Sequence, residues 1–213
     1  MTIEELEAKV GKLEKELTGF RDIEEIQRLQ RAYGYYLERW MYKELIDLFS
    51  DSPDATLSIL VGIYLGKEGI RRFFTGANEQ FEGPETLHQV MQLSGIVDVN
   101  PDGITAKGRW YGFGAQALPV GKGVKQMMNG GVYAVDYVKE NGTWKILKLT
   151  WNPVYTCYPE NGWVKPERIA AAADVGGLGT PPEFDKPREF ETRYPSGYIT
   201  PFHFKHPVTG KET

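Results

Sequence analysis

Among the residues able to move protons near neutral pH, this chain has three histidines, His88, His203 and His206. His88 lies in the run LHQVMQLSGIVDV, whose composition reads as a strand. Strand alternation puts it on one face with Val90 and Gln92, opposite Leu87, Gln89 and Met91. An imidazole there could take a proton from carbon and return one to a leaving hydroxyl. It could equally be a core histidine bonded to a backbone carbonyl, and the residues alone leave both open. Around it, Trp110, Tyr64, Met91, Met127, Met128, Tyr133 and Trp151 are candidates for an apolar, aromatic lining. Asn129 and Asn152 are candidate donors to a carbonyl or phenolate oxygen, or ordinary strand-edge and turn residues. Trp110, Gly112 and Gly114 share a face by alternation, which leaves room for a ring system. Lys107 and Arg109 alternate with them and read as a solvated face, while Lys125 sits near the rim.

Other chemistries find less support. The histidines form no HxxxH pair and the single cysteine, Cys157, forms no CxxC. An intrachain disulfide is excluded and a metal site is not expected. GKG at 121–123 lacks the spacing of a phosphate loop, and no dinucleotide fingerprint occurs, so no cofactor is expected. A net charge of -4, with scattered basic residues, argues against nucleic acid as a partner. MTIEELEAKVGKLEKEL is too charged for a signal peptide, and no apolar run is long enough to span a membrane. A cytoplasmic location is the expectation.

The elements that must position these residues begin with helices. Ile3, Leu6, Val10, Leu13 and Leu17 repeat at steps of three and four, the seam of a short coiled coil. Residues 1–19 are therefore expected to be an oligomerisation helix, broken at Gly19. Asp22 and Glu25 suggest a capping box for a second helix carrying Ile23, Ile26, Leu29, Tyr33 and Leu37. Leu45, Leu48 and Phe49 mark a third, ATLSILVGIYLG is β-rich, and GKEGIRRFF starts a helix burying Ile70, Phe73 and Phe74. Long strands follow, joined at Asn100-Pro-Asp-Gly and Glu140-Asn-Gly. Helices followed by a curled antiparallel sheet make an α+β domain over 20–152. From 153 to 213 the chain is proline-punctuated yet rich in aromatics, including Tyr155, Trp163, Phe184, Phe190 and Phe202. Such a tail should pack on the barrel or on a neighbouring subunit. There, His203 and His206 are expected to be structural or intersubunit.

Four segments in order, DIEEIQRLQRAYGYYLERWMYKELIDLFS, LHQV, TAKGRWYG and NGGVYAVDYVKENGTWKILKL, resemble the SnoaL-like branch of the nuclear-transport-factor-2-like superfamily. The resemblance spans roughly residues 13–151, and its layout is nearest to bile-acid 7α-dehydratase and scytalone dehydratase. It implies a cone-shaped α+β barrel, a homotrimer and catalysis without a cofactor. By position it implies that Tyr33, Glu38 and His88 are catalytic. Glu38 would accept the second ring proton of His88, and Tyr33, or Tyr35 or Tyr36 in its place, would polarise an oxygen. Tyr33 and Glu38 lie about 140° apart on an ideal helix, so both face one pocket only if the helix tightens or ends after Leu37. Where the bile-acid enzyme has an aspartate and an arginine, this chain has Gly114 and Pro153, which changes the substrate.

The reading that follows is a lyase acting by dehydration or retro-aldol-type cleavage on a hydroxylated aromatic or polycyclic molecule, such as a lignin-derived dimer, polyketide or steroid. Trp110, Tyr64, Met128, Asn129, Trp151 and Asn152 would bind it. The alternatives are a ketosteroid-isomerase-like proton transfer with Glu38 as base, and a non-catalytic ligand-binding domain.

Overall fold

The computed structural model describes residues 1–59, 62–81, 83, 86–120, 123–159 and 182–213. Helix α1 runs unbroken from Ile3 to Glu38, opened by a capping box between Thr2 and Glu5. Gly19 does not break it, contrary to expectation, because a glycine costs a helix interior only about 1 kcal/mol. The packed second half, with Ile26, Tyr33 and Leu37 buried, outweighs that cost. Asp22 is not a cap. It is buried and accepts from Trp144 Nε1 at 2.9 Å and from Lys139 Nζ, clamping the helix to the sheet. The stripe Ile3, Leu6, Val10, Leu13 and Leu17 is exposed along the first half.

Two shorter helices follow, α2 (Tyr42–Asp47) and α3 (Gly66–Phe81). The strands are β1 (Thr56–Ile59), β2 (Gly62–Leu65), β3 (Leu87–Val99), β4 (Thr105–Val120), β5 (Gly123–Glu140), β6 (Thr143–Cys157) and β7 (Lys186–Pro187). They form one sheet in the order β3-β4-β5-β6-β1-β2-β7, antiparallel except where β1 runs parallel to β6. The turns fall where the sequence places them, with Gly103, Asn141 and Gly142 at positive φ.

Register shifts in β3 between Leu93 and Ile96, and in the β5–β6 pair, curl the sheet around α1. At the β3 shift, a Cβ on Gly95 would lie 2.1 Å from the Trp110 ring, so only glycine lets that indole cross the bend. Helix and sheet are joined by a buried polar chain: Trp110 Nε1 donates to Tyr137 Oη, Tyr137 to Gln30, and Gln30 to Gln92. The result is the cone-shaped α+β fold expected. Among the described residues, no helix is long and apolar enough to cross a membrane.

Strand β6 continues to Cys157, beyond the boundary expected at 152. Pro153 looked like its end, but proline is tolerated beside a bulge, and the register shift opposite Gly130 and Gly131 provides one. The tail then returns over its own barrel. Asp185 N donates to Ile63 O, Thr192 Oγ1 to Pro153 O and Tyr194 N to Val154 O. Arg109, expected to be solvated, donates to Thr200 O and stacks on Phe202. His203 lies 3.2 Å from Asp98, and His206 Nδ1 accepts from Val208 N and Thr209 N, closing a turn. Trp163 falls outside the described residues.

Candidate active site

A cavity of about 440 Å³ opens between the concave sheet, the end of α1, α3 and the tail. That volume suits a small organic ligand. His88 forms part of its wall, near the start of β3, with 6% of its surface exposed. Its Nδ1 lies 3.3 Å from the carbonyl of Leu37. A carbonyl only accepts, so this contact selects the tautomer protonated at Nδ1 and leaves Nε2 with its lone pair. The ring rests on Trp40 at 4.4 Å between centroids, and Trp40 packs in turn on Phe81. Trp40 reaches that place through a left-handed backbone, φ 51°, immediately after the helix ends. Burial pushes the His88 pKa down to about 4, outweighing the opposing pull of the Leu37 carbonyl. The imidazole is therefore neutral at pH 7.

Across the ladder from His88 stands Gln116, its partner in the β3–β4 register. Side chains so paired sit about 5 Å apart at Cβ. Asn129 Nδ2 donates to Gln116 Oε1, and Thr156 Oγ1 donates to Asn129 Oδ1 at 2.8 Å. A polar row, His88, Gln116, Asn129, Thr156, thus crosses β3 to β6 on one wall. Because Gln116 uses its oxygen toward Asn129, its amide N–H groups are the part available to a ligand. Apolar wall comes from Trp40, Val90, Met127, Tyr133 and Trp151, the last two in tilted ring contact at 4.4 Å between centroids.

The remaining wall is the tail. Arg188 donates to Trp151 O and Asn152 Oδ1, and its cation lies over the Phe190 ring. Glu191 receives Arg193 through both carboxylate oxygens, at 2.9 and 2.5 Å. That buried guanidinium, with two backbone N–H donors, holds the Glu191 carboxyl at about 2.

Of the expected site and lining residues, His88, Met127, Asn129, Tyr133 and Trp151 share this cavity. The others stand elsewhere. Tyr33 is fully buried behind the wall, edge-on to Tyr133, Phe49 and Phe74, and burial raises its pKa well above normal. Tyr35 points to solvent, and Tyr36 is half-buried against the core. Glu38 does not meet His88. Helix α1 continues through it, so it falls off the Leu37 face and lies 3.9 Å from Arg39 at the surface. The Leu37 carbonyl, not Glu38, stands at Nδ1 of His88.

Met128 is displaced by Met127, since alternation on β5 turns only one of them inward. Met91 faces outward. Tyr64 stands behind Phe73, donating to Pro182 O, and Trp110 lies in the polar chain under α1. Asn152 holds Arg188 from behind. The space beside Gly112 is filled by Trp151 and Tyr133 of this chain, so it is not room for a ligand. Gln116 was within reach of the alternation already traced from Trp110 to Gly114, two residues further along. Thr156 required seeing β6 through Pro153, and the tail residues had no periodic signal.

A family model described as the SnoaL-like domain matches residues 19–150. Among solved structures, a type 2 hexachlorocyclohexane dehydrochlorinase has a TM-score of 0.59 at 20% identity, over 71% of this chain and 97% of that one. A scytalone dehydratase-like protein from Novosphingobium aromaticivorans gives 0.55 at 21% identity, over 66% and 89%. A protein of unknown function from Mycobacterium tuberculosis gives 0.54 at 17%, over 75% and 92%. At such identities these likenesses establish the fold. The family match covers most of the chain and takes in the whole polar row except Thr156: this chain belongs to the SnoaL-like family of the nuclear-transport-factor-2-like superfamily.

Proposed function

We propose that the chain is a cofactor-independent lyase acting on a hydroxylated aromatic or polycyclic small molecule, with His88 as general base and then general acid. One observation carries the reading. A neutral imidazole lines a largely apolar cavity with Nδ1 tied to Leu37 O, and a glutamine stands opposite it across the ladder. In a dehydration, Nε2 takes the proton from the carbon next to the one bearing the hydroxyl. The electron pair forms the double bond, the C–O bond breaks, and the imidazolium returns its proton to the departing hydroxyl as water. Gln116 Nε2 would donate to an oxygen on which charge develops. A retro-aldol cleavage uses the same groups: His88 takes the proton of a hydroxyl, the aldehyde C=O forms as the C–C bond breaks, the C–C electron pair passes to the carbon of the other fragment, and the imidazolium returns its proton there. Structural neighbours named for dehydrochlorination and dehydration support an elimination without identifying the substrate.

The test is a panel of hydroxylated two-ring aromatics and steroids incubated with the protein and followed by mass spectrometry for loss of water or aldehyde. His88→Gln is expected to lower turnover by roughly 10²–10⁴-fold, the usual contribution of a positioned acid–base group. The pH profile of kcat/KM should hold level above about pH 5 and fall as pH drops through about 4, where the base becomes protonated. Turnover unchanged in His88→Gln would overturn the assignment.

A further inference from the structure

The tail places a cation in the cavity wall whose charge no acid among the described residues takes up. Arg188 is half-buried, lines the cavity, and gives two of its hydrogen bonds to neutral acceptors, Trp151 O at 2.5 Å and Asn152 Oδ1 at 2.6 Å. A guanidinium has five N–H donors, so three remain. Among the described residues Arg188 has no ion pair. The carboxylate whose charge reaches it is that of Glu191, and both oxygens of Glu191 are engaged by Arg193. Glu189 also borders the cavity but is exposed at the mouth, where water screens it. Among the described residues, Arg193 thus takes up the carboxylate nearest in the chain to Arg188, and the charge of Arg188 is left unmatched.

We infer that Arg188 is a recognition site for a carboxylate on the ligand, so that the molecule taken into the cavity is an aromatic or polycyclic acid. A half-buried cation with spare donors and no acid among the described residues gains most from an anion that brings its own acceptors, and guanidinium matches a planar carboxylate better than any neutral oxygen. A phenol does not meet the requirement, because it stays un-ionised at neutral pH. The aromatic surface beside it, Trp151 and Tyr133 of the sheet with Phe190 of the tail under the cation, suits a flat body attached to that acid. Arg188 would fix one end of the ligand at β6 and the tail, while the polar row on β3 to β6 meets the other. The inference rests on reading the cavity as a substrate site, but not on the step that His88 performs there.

Two probes of nearly the same shape test it, trans-cinnamate and trans-cinnamamide, titrated into the full-length protein and followed by calorimetry and by quenching of the cavity tryptophans. Cinnamate is expected to bind about tenfold more tightly or better, the margin of a charge-assisted hydrogen bond over a neutral one. Arg188→Gln should reduce that ratio to about twofold or less, chiefly by weakening cinnamate, and Arg188→Lys should keep part of it. Equal binding of the two probes by the unaltered protein, no detectable cinnamate binding, or a ratio unchanged in Arg188→Gln would each overturn the inference. The first two readings need no variant and so hold even if a substitution loosens the tail. His88→Gln separates this inference from the proposed function: it should retain the preference for cinnamate while losing turnover. Turnover intact in His88→Gln defeats the lyase alone, whereas a cinnamate preference that survives Arg188→Gln defeats the carboxylate site alone.

Discussion

The cavity has two walls built on different principles. On the sheet side, His88, Gln116, Asn129 and Thr156 are placed by continuous antiparallel ladders from β3 to β6. His88 pairs with Gln116 across β3 and β4, and Asn129 with Thr156 across β5 and β6. On the tail side, Arg188, Thr192 and Arg193 lie on irregular chain fastened at separate points, among them Thr192 Oγ1 to Pro153 O and Tyr194 N to Val154 O, both 2.6 Å. The ladder gives rigid positioning suited to proton transfer, where small displacements are costly. The strap gives contacts that can be exchanged without disturbing the core, suited to selecting a ligand. On the proposed reading the labour divides, with chemistry on the sheet and selection on the tail.

The largest expected effect tests how firmly the sheet wall holds a neutral histidine. The folded protein keeps the His88 pKa near 4, whereas the unfolded chain has the ordinary value near 6.5. Between those values the unfolded state binds a proton that the native state refuses, so stability falls as pH is lowered from about 6.5 to 4. The loss should reach roughly 3 kcal/mol. His203 is also pushed down, first by burial, and adds a loss of the same sign. Asp51, held at about 2 by Lys145 and Lys67, and Glu191, held at about 2 by Arg193, act lower: their contributions disappear only as pH falls from about 4 toward 2. Urea midpoints from pH 7 to 4.5 should therefore drop less in His88→Gln than in the unaltered protein. Parallel curves would mean that the histidine is hydrated and the wall open.

Gly114→Ala strikes the same wall through the backbone. The added Cβ would lie 2.1 Å from the carbonyl oxygen of Gln89, between the strands that carry His88 and Gln116. Overpacking of this kind costs about 1–3 kcal/mol, read from the shift in urea midpoint. A wild-type midpoint would contradict the β3–β4 register. Thr192→Val makes the matching cut in the tail, removing a hydrogen bond worth about 1 kcal/mol. Its effect should stay local: hydrogen exchange speeds up at the Tyr194 amide, while amides of β4 and β5 keep their rates. Acceleration in β4 and β5 as well would show the two walls to be one cooperative unit.

The same division explains what could be read from the sequence. His88 facing inward with Val90 followed from a period of two, because β3 has one buried and one exposed face there. The turns at Gly103 and Asn141-Gly142 followed from backbone chemistry local to four residues. By contrast, Gly19 and Asp22 carried valid local signals for a helix break, and packing of the buried half of α1 overrode them. Asp22 was instead claimed by Lys139 and Trp144, partners more than a hundred residues away, which no local pattern encodes. Arg188 and Arg193 were illegible for a related reason, since an irregular strap has no periodicity to show which side chains turn inward.

Glu38 tests the boundary of the comparison, because it belongs to neither wall, and the smallest effect is expected there. It is partly exposed, and its one ion pair, to Arg39 at 3.9 Å, is of the surface kind that contributes about 0–1 kcal/mol. Were it the group that orients His88, Glu38→Gln would disturb the tautomer and lower turnover by orders of magnitude, as loss of the acid does in acid–histidine pairs. With Leu37 O in that role, the substitution should change kcat/KM by about twofold at most and leave the pH dependence of stability as it was. A hundredfold loss would move the catalytic acid back to the helix end. A null result would instead place the orienting group in the backbone, where no side-chain substitution can remove it, and where the left-handed turn at Trp40 becomes the feature that holds the histidine in place.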